Sequence, residues 1–209
     1  MNNLAESWDW FCHEAHQLAY EKGWWDGRRS FLEAMALVAS ELGEAIEAFR
    51  TPRASTKILA FSHAEEELAD IIIRIADLCT FYRLDLGASP ELSAKAEMFD
   101  ACCIGNPEDR FVCCFDTLLA NPSDILKSAH NITLNNPVER IAAIVSYLGE
   151  AILAFTIDND ELSTESALAS VIIEACLIAT EQKFDLGEAI LAKHAYNKSR
   201  AYRHGAKVY

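Results

Sequence analysis

Glycine and proline are sparse in this chain, 8 and 5 of 209 residues, and strand-like alternation of polar and apolar residues is absent. That scarcity excludes a turn-rich β architecture. Basic residues are few as well: 18 Lys and Arg against 32 Asp and Glu leave a net charge of −14, with no long Lys/Arg run in the first 190 residues. Such a surface does not suit a nucleic-acid polymer, whose phosphates require a basic stripe. No run of eighteen uncharged apolar residues occurs, and the first residues carry acids where a leader would carry a basic segment and an apolar run. A soluble, cytoplasmic protein without a membrane segment is expected. The seven cysteines include the vicinal pairs Cys102-Cys103 and Cys113-Cys114 but show neither CxxC nor Cys/His zinc spacing. They read as small core hydrophobes in a reducing compartment.

What the chain does have is an apolar content of 51%, recurring at helical spacing. An all-α fold is predicted, with helices over 4–22, 30–50, 57–83, 90–103, 109–120, 123–130, 137–156, 164–183 and 186–203. The segment 67–87 aligns without a gap on 167–187, and 31–49 aligns on 137–155; the copies share LGEAI-AF and DLG. The offsets of 100 and 106 point to an internal duplication, 1–104 and 105–209, whose helical units pack as an intrachain pseudo-dimer.

Within the first copy, Glu41 and Glu44 are spaced i, i+3, and so are Glu67 and Asp70. On helices each pair projects from one face, and four carboxylates from two helices would form the all-oxygen set that Mg2+, or Mn2+, prefers. Glu67, Asp70, Arg74 and Asp77 make one charged stripe on an otherwise apolar helix, which reads either as a metal site or as a solvated edge with its own acid–base pairs. Glu47, Glu65 and Glu66 are expected on solvated faces, with Glu66 or Glu44 a possible outer-shell base. In the second copy Tyr147, Ala167 and Ser170 replace Glu41, Glu67 and Asp70, and only Glu150 keeps its acid.

That copy ends instead in a basic face: Lys193, Asn197, Arg200 and His204 at spacings 0, 4, 7 and 11, then Gly205 and Lys207. Lysine and fork-shaped arginine suit polyphosphate oxygens, and the Asn197 amide suits a sugar or phosphate; complementing a helix C-terminus is the plainer reading. Trp24 and Trp25 stand at a helix end, either as a stacking surface for a base or as loop packing. His13 and His16 share a face and are expected to be structural or exposed.

With ELGE followed by ELAD, 22 residues between Glu44 and Glu67, the upstream KGW and the closing K…N..R…HG pattern, the sequence resembles the MazG-like all-α nucleoside triphosphate pyrophosphohydrolases, relatives of the dimeric dUTPases. The resemblance implies a four-helix-type core and Mg2+-dependent hydrolysis of a nucleoside triphosphate to the monophosphate and pyrophosphate, with Glu41, Glu44, Glu67 and Asp70 as metal-binding catalytic residues. It implies substrate contacts from Lys193, Asn197, Arg200 and His204, to which the basic tail adds Lys207 as a candidate, and a homodimer containing four repeats. The departure from the family is that acids and basic tail stand in different repeats. A catalytically silent nucleotide-binding or assembly protein is the alternative. A ferritin-like di-iron bundle would need Glu-x-x-His pairs, which these helices lack.

Overall fold

The computed structural model describes residues 3–27, 29–89, 106–120, 134 and 136–203. Among them are seven α-helices and no strand: α1 (Asn3–Glu21), α2 (Phe31–Arg50), α3 (His63–Tyr82), α4 (Pro107–Ala120), α5 (Pro137–Leu153), α6 (Glu161–Gln182) and α7 (Leu186–Ser199). The all-α expectation holds. The helices expected at 90–103 and 123–130, the Cys102-Cys103 pair, and His204, Gly205 and Lys207 lie outside the described residues.

Helix starts are written locally. Ser30 and Ser62 each cap with the hydroxyl on the N3 amide while Glu33 and Glu65 reach back to the cap amide, so α2 and α3 begin with reciprocal capping boxes. Asn136, followed by Pro137, starts α5, and Asp160 starts α6 three residues earlier than expected. The largest difference is at 57–62, which was expected to be helical. The Ala54–Ser62 bridge and the Ser55 N–H to Phe61 carbonyl bond, 2.9 Å, fold it into a loop, and the Ser62 capping box delays the helix to His63. α5 runs on into a π turn, Ala154–Asp158, and α7 stops at Ser199, four residues short of the expected end, where Arg200 is extended.

Helices α2 and α3 form one hairpin and α5 and α6 another, with α2 against α5. Phe31 at the start of α2 stacks on Phe155 beyond the end of α5, centroids 4.0 Å apart, so these two helices run antiparallel. α3 is the hub, covered by α1, α2, α6 and α7; Leu68, Ala69, Ile71, Ile72, Ile75 and Ala76 are all solvent-free. α1 and α4 close the end of the core through Phe11 stacked on Phe111 at 4.4 Å. By length and composition, α5 with its π turn and α6 are each apolar enough to cross a membrane. The α6 window is 78% buried inside the protein, as a core helix is, whereas the α5 window is 28% buried and exposes Val145, Leu153 and Ile157.

The chain after α7 is tied to the loop after α1. Lys22 donates its ammonium to the carbonyls of Lys198 and Arg200, at 2.7 and 2.5 Å, and accepts the Arg203 N–H at its own carbonyl, 2.9 Å. Gly23 has φ +76°, and a Cβ there would fall 2.3 Å from the Tyr202 ring. Gly23→Ala is therefore expected to cost about 1–2 kcal/mol and to release residues 200–203, seen as a lower melting temperature and faster proteolysis after Arg200; unchanged protection would contradict this coupling.

Candidate functional site

Glu41 projects from α2 and Glu67 from α3 into the seam between the two helices, where they are 5% and 0% exposed. With the exposed Glu44 they bring one carboxylate oxygen each to within 4.8 Å of the others. Three of the four predicted acids thus converge. The fourth, Asp70, is one turn along α3 and is held at Oδ2 by the Lys193 ammonium, 2.5 Å away.

Glu67 is the residue whose environment is incomplete. Both its oxygens are buried without a hydrogen-bond partner among the described residues. His63 Nδ1 lies 3.1 Å from Oε1, but out of hydrogen-bond alignment. Arg53, a permanent donor, is 2.8 Å from His63 Nε2, which therefore accepts and leaves the proton on Nδ1. Burial, followed by the negative charges of Asp70, Glu44 and Glu66 and opposed by Lys57, pushes the Glu67 carboxyl up to about 8. An enclosed carboxylate with no aligned hydrogen bond among the described residues, beside two more carboxylates, fits a hard divalent cation. The donor set is oxygen-only, which favours Mg2+ or Mn2+ over softer metals.

Its neighbours are neutralised differently. Glu66, expected on a solvated face, is 1% exposed. Burial works against its charge, yet Lys193 at 2.7 Å, Lys57 and the Ser55 hydroxyl at 2.6 Å hold its carboxyl down at about 2. The 51–62 loop therefore has a local purpose, since it places Ser55 and Lys57 on Glu66. Asp70 is raised by burial despite Lys193. Arg74 binds Glu41 through Nε at 2.7 Å and through a terminal nitrogen, both on Oε1. Asp77, last of the stripe, receives Trp25 Nε1 at 2.8 Å and His16 Nδ1 at 2.7 Å.

A cavity of about 360 Å³ opens over Glu41, Glu44 and Asp70. Its other walls include Trp24, Arg29, Lys57 and Arg74 from the first half of the chain and Asn197 and Arg200 from α7 and its end. Acids and basic tail, separate in sequence, meet here. Asn197 Oδ1 is enclosed without a partner among the described residues, an acceptor available to a donor on a bound molecule. Arg29 lies over both indoles, 6.0 Å from Trp24 and 5.2 Å from Trp25.

Two predicted substrate contacts are placed elsewhere. The Lys193 ammonium is 1% exposed and faces Glu66 and Asp70, not the cavity, because α7 packs directly on α3. Trp25 is buried, stacked on Phe81 at 3.8 Å, leaving only Trp24 on the cavity wall. Sequence reading missed His63, Lys57 and Arg29. His63 is four residues before Glu67 and was detectable from that spacing; Lys57 and Arg29 come from loops and gave no periodic signal. Compared with family models, curated proteins and solved structures, the chain matches none of them.

Because the folded pKa of Glu67 is raised, the folded chain holds a proton that the unfolded chain loses between about pH 4.3 and 8. Stability of the metal-free protein should thus be greatest below that interval and fall as pH rises through about 8. Glu67→Gln should flatten the decline and stabilise the fold at pH 8 by roughly 1–3 kcal/mol. Urea titrations in chelator at several pH values measure this, and parallel curves for both proteins would contradict it. Lys193→Ala, which takes the cation from half-buried Asp70 and one of three partners from buried Glu66, should cost about 3–5 kcal/mol; a melting temperature like the parent's would return Lys193 to the role of a ligand contact.

Proposed function

We propose that this protein is a Mg2+-dependent nucleoside triphosphate pyrophosphohydrolase, as its resemblance to the MazG-like enzymes implies. The observation that carries the reading is the cavity that Glu41 and Glu44 line together with Arg29, Arg200 and Asn197, with the wholly buried Glu67 bringing an oxygen to within 4.8 Å of both acids. An acid-rich protein accepts a polyphosphate only if cations stand between like charges. Here the acids supply a cation site and the arginines supply direct phosphate contacts.

Glu41, Glu44 and Glu67 would hold the metal ion, with Asp70 beside them. A bound divalent cation lowers the pKa of coordinated water and neutralises charge on phosphate oxygens. The chain's own groups then do the remaining work. Arg29 and Arg200 neutralise the polyphosphate and keep it along the cavity wall; Trp24 presents an aromatic surface where a base can stack. Asn197 Oδ1 takes a hydroxyl or amino donor from the nucleoside, which pairs its buried acceptor. Pyrophosphate is the leaving group, and its developing charge falls among these fixed cations.

The duplication reading is part of the same proposal. Helices α3 and α6 end alike: Arg83 and Lys183, 100 positions apart, both adopt the left-handed conformation at φ 60° and 59°. The following amides bond back to Cys79 and Ala179 carbonyls at 2.9 and 2.8 Å. Equivalent C-caps on non-glycine residues at the sequence offset support two related helical units, and a homodimer would then contain four.

The test is a panel of ribo- and deoxyribonucleoside triphosphates with Mg2+, resolving pyrophosphate from orthophosphate, with Glu41→Ala and Asp70→Ala alongside. Pyrophosphate release by the parent, reduced at least about a thousandfold in both variants while helical circular dichroism persists, is expected. No turnover on any triphosphate, from protein that still binds one, would assign a silent nucleotide-binding protein instead.

A further inference from the structure

Among the cations around the acid cluster, Arg74 differs from Lys193 in its freedom. Lys193 is enclosed at 1% exposure by two carboxylates and has nowhere to move. Arg74 is 36% exposed, lines the cavity, and directs both Nε and a terminal nitrogen at one oxygen of Glu41 instead of straddling the carboxylate with its fork. A guanidinium bound in that way leaves donors for a second anion. Arg74 also disappears along with the acids: in the second half of the chain Glu174 stands at its aligned position and Tyr147 at that of Glu41. The ion pair there is built the other way round, with Arg140 of α5 donating to Glu174 at 3.0 Å deep in the core. An arginine pointing from the third helix to the second is therefore not required to join such a hairpin.

We infer that Arg74 exchanges partners: it neutralises Glu41 when that carboxylate binds nothing else, and turns to the phosphate oxygens of a ligand in the same cavity when Glu41 is engaged by a divalent cation. Resting on the proposed metal-dependent reading, this makes cation and polyphosphate binding mutually reinforcing, because the cation releases the guanidinium that the polyphosphate uses. It also gives Glu41 a counterion when no cation is bound, which limits repulsion between Glu41 and its acidic neighbours.

The experiment uses the full chain and two probes, Mn2+ alone followed by electron paramagnetic resonance, and inorganic tripolyphosphate in saturating Mg2+ followed by calorimetry. Arg74→Gln should bind Mn2+ alone about 2–5-fold more tightly, because a half-exposed competitor for Glu41 is gone. The same variant should bind tripolyphosphate at least about tenfold more weakly, because a charge-assisted fork is gone. Arg74→Lys, retaining the charge without the fork, should fall between parent and Arg74→Gln for both probes. Weakening of both ligands together, or unchanged tripolyphosphate binding, would overturn the exchange and reduce Arg74 to a support for Glu41. A parent protein that does not bind Mn2+ would remove the metal reading itself, and the exchange with it.

Discussion

The arrangement of this protein rests on one electrostatic constraint: beyond the capping Glu65, α3 carries Glu66, Glu67, Asp70 and Asp77 through a helix that is otherwise mostly core. Ionised side chains there are tolerable only if cations or donors are brought to them. The fold does this from three directions. Lys193 arrives from α7, Lys57 and Ser55 from the loop before α3, and Trp25 and His16 from α1 and the loop that follows it. Each supplier is thereby held against α3, so neutralising the stripe and assembling the bundle are the same event.

The pattern of neutralisation is uneven, and the unevenness singles out Glu67. Glu66 has three partners and stays charged; Asp77 has two; Glu67, more deeply buried than either, has no hydrogen-bond partner among the described residues and is pushed towards its neutral form. A protein optimised only for stability would replace such a carboxyl, since a packed apolar residue of similar size is easier to bury. Retaining a destabilising acid beside two carboxylates that line a cavity is a local conflict of the kind found where ligands bind.

The two halves of the chain contribute unequally to that cavity. Carboxylates come from α2 and α3, whereas Asn197 and Arg200 come from the end of α7, and residues 200–203 are stapled to the loop at Lys22 and Gly23. Acids and basic residues far apart in the sequence line one cavity because α7 packs on α3. Where the second half of the chain aligns with the first, apolar positions and the ends of α3 and α6 are alike, whereas Tyr147, Ala167 and Ser170 stand at the positions of Glu41, Glu67 and Asp70.

The sequence by itself determined the helical class, most helix starts and the identity of the converging acids, because apolar periodicity, capping boxes and i, i+3 spacing are local properties that a reader can count. Glu41, Glu44 and Glu67 were legible for that reason, and the i, i+4 step from His63 to Glu67 was legible too. Only the tertiary structure decided which charges pair. Lys193 looked like a phosphate ligand because its helix face is basic, but its partners are 123 and 127 residues away on α3, and that distance is invisible to periodicity. Glu66 looked solvated because its neighbours in sequence are polar, until a loop misread as helix placed Lys57 and Ser55 on it. Trp24 and Trp25 were indistinguishable as a dipeptide, and the packing of Phe81 against one of them separated core from cavity wall. Helices are specified by near neighbours along the chain, whereas a site is specified by whichever side chains long-range packing brings within a few ångströms.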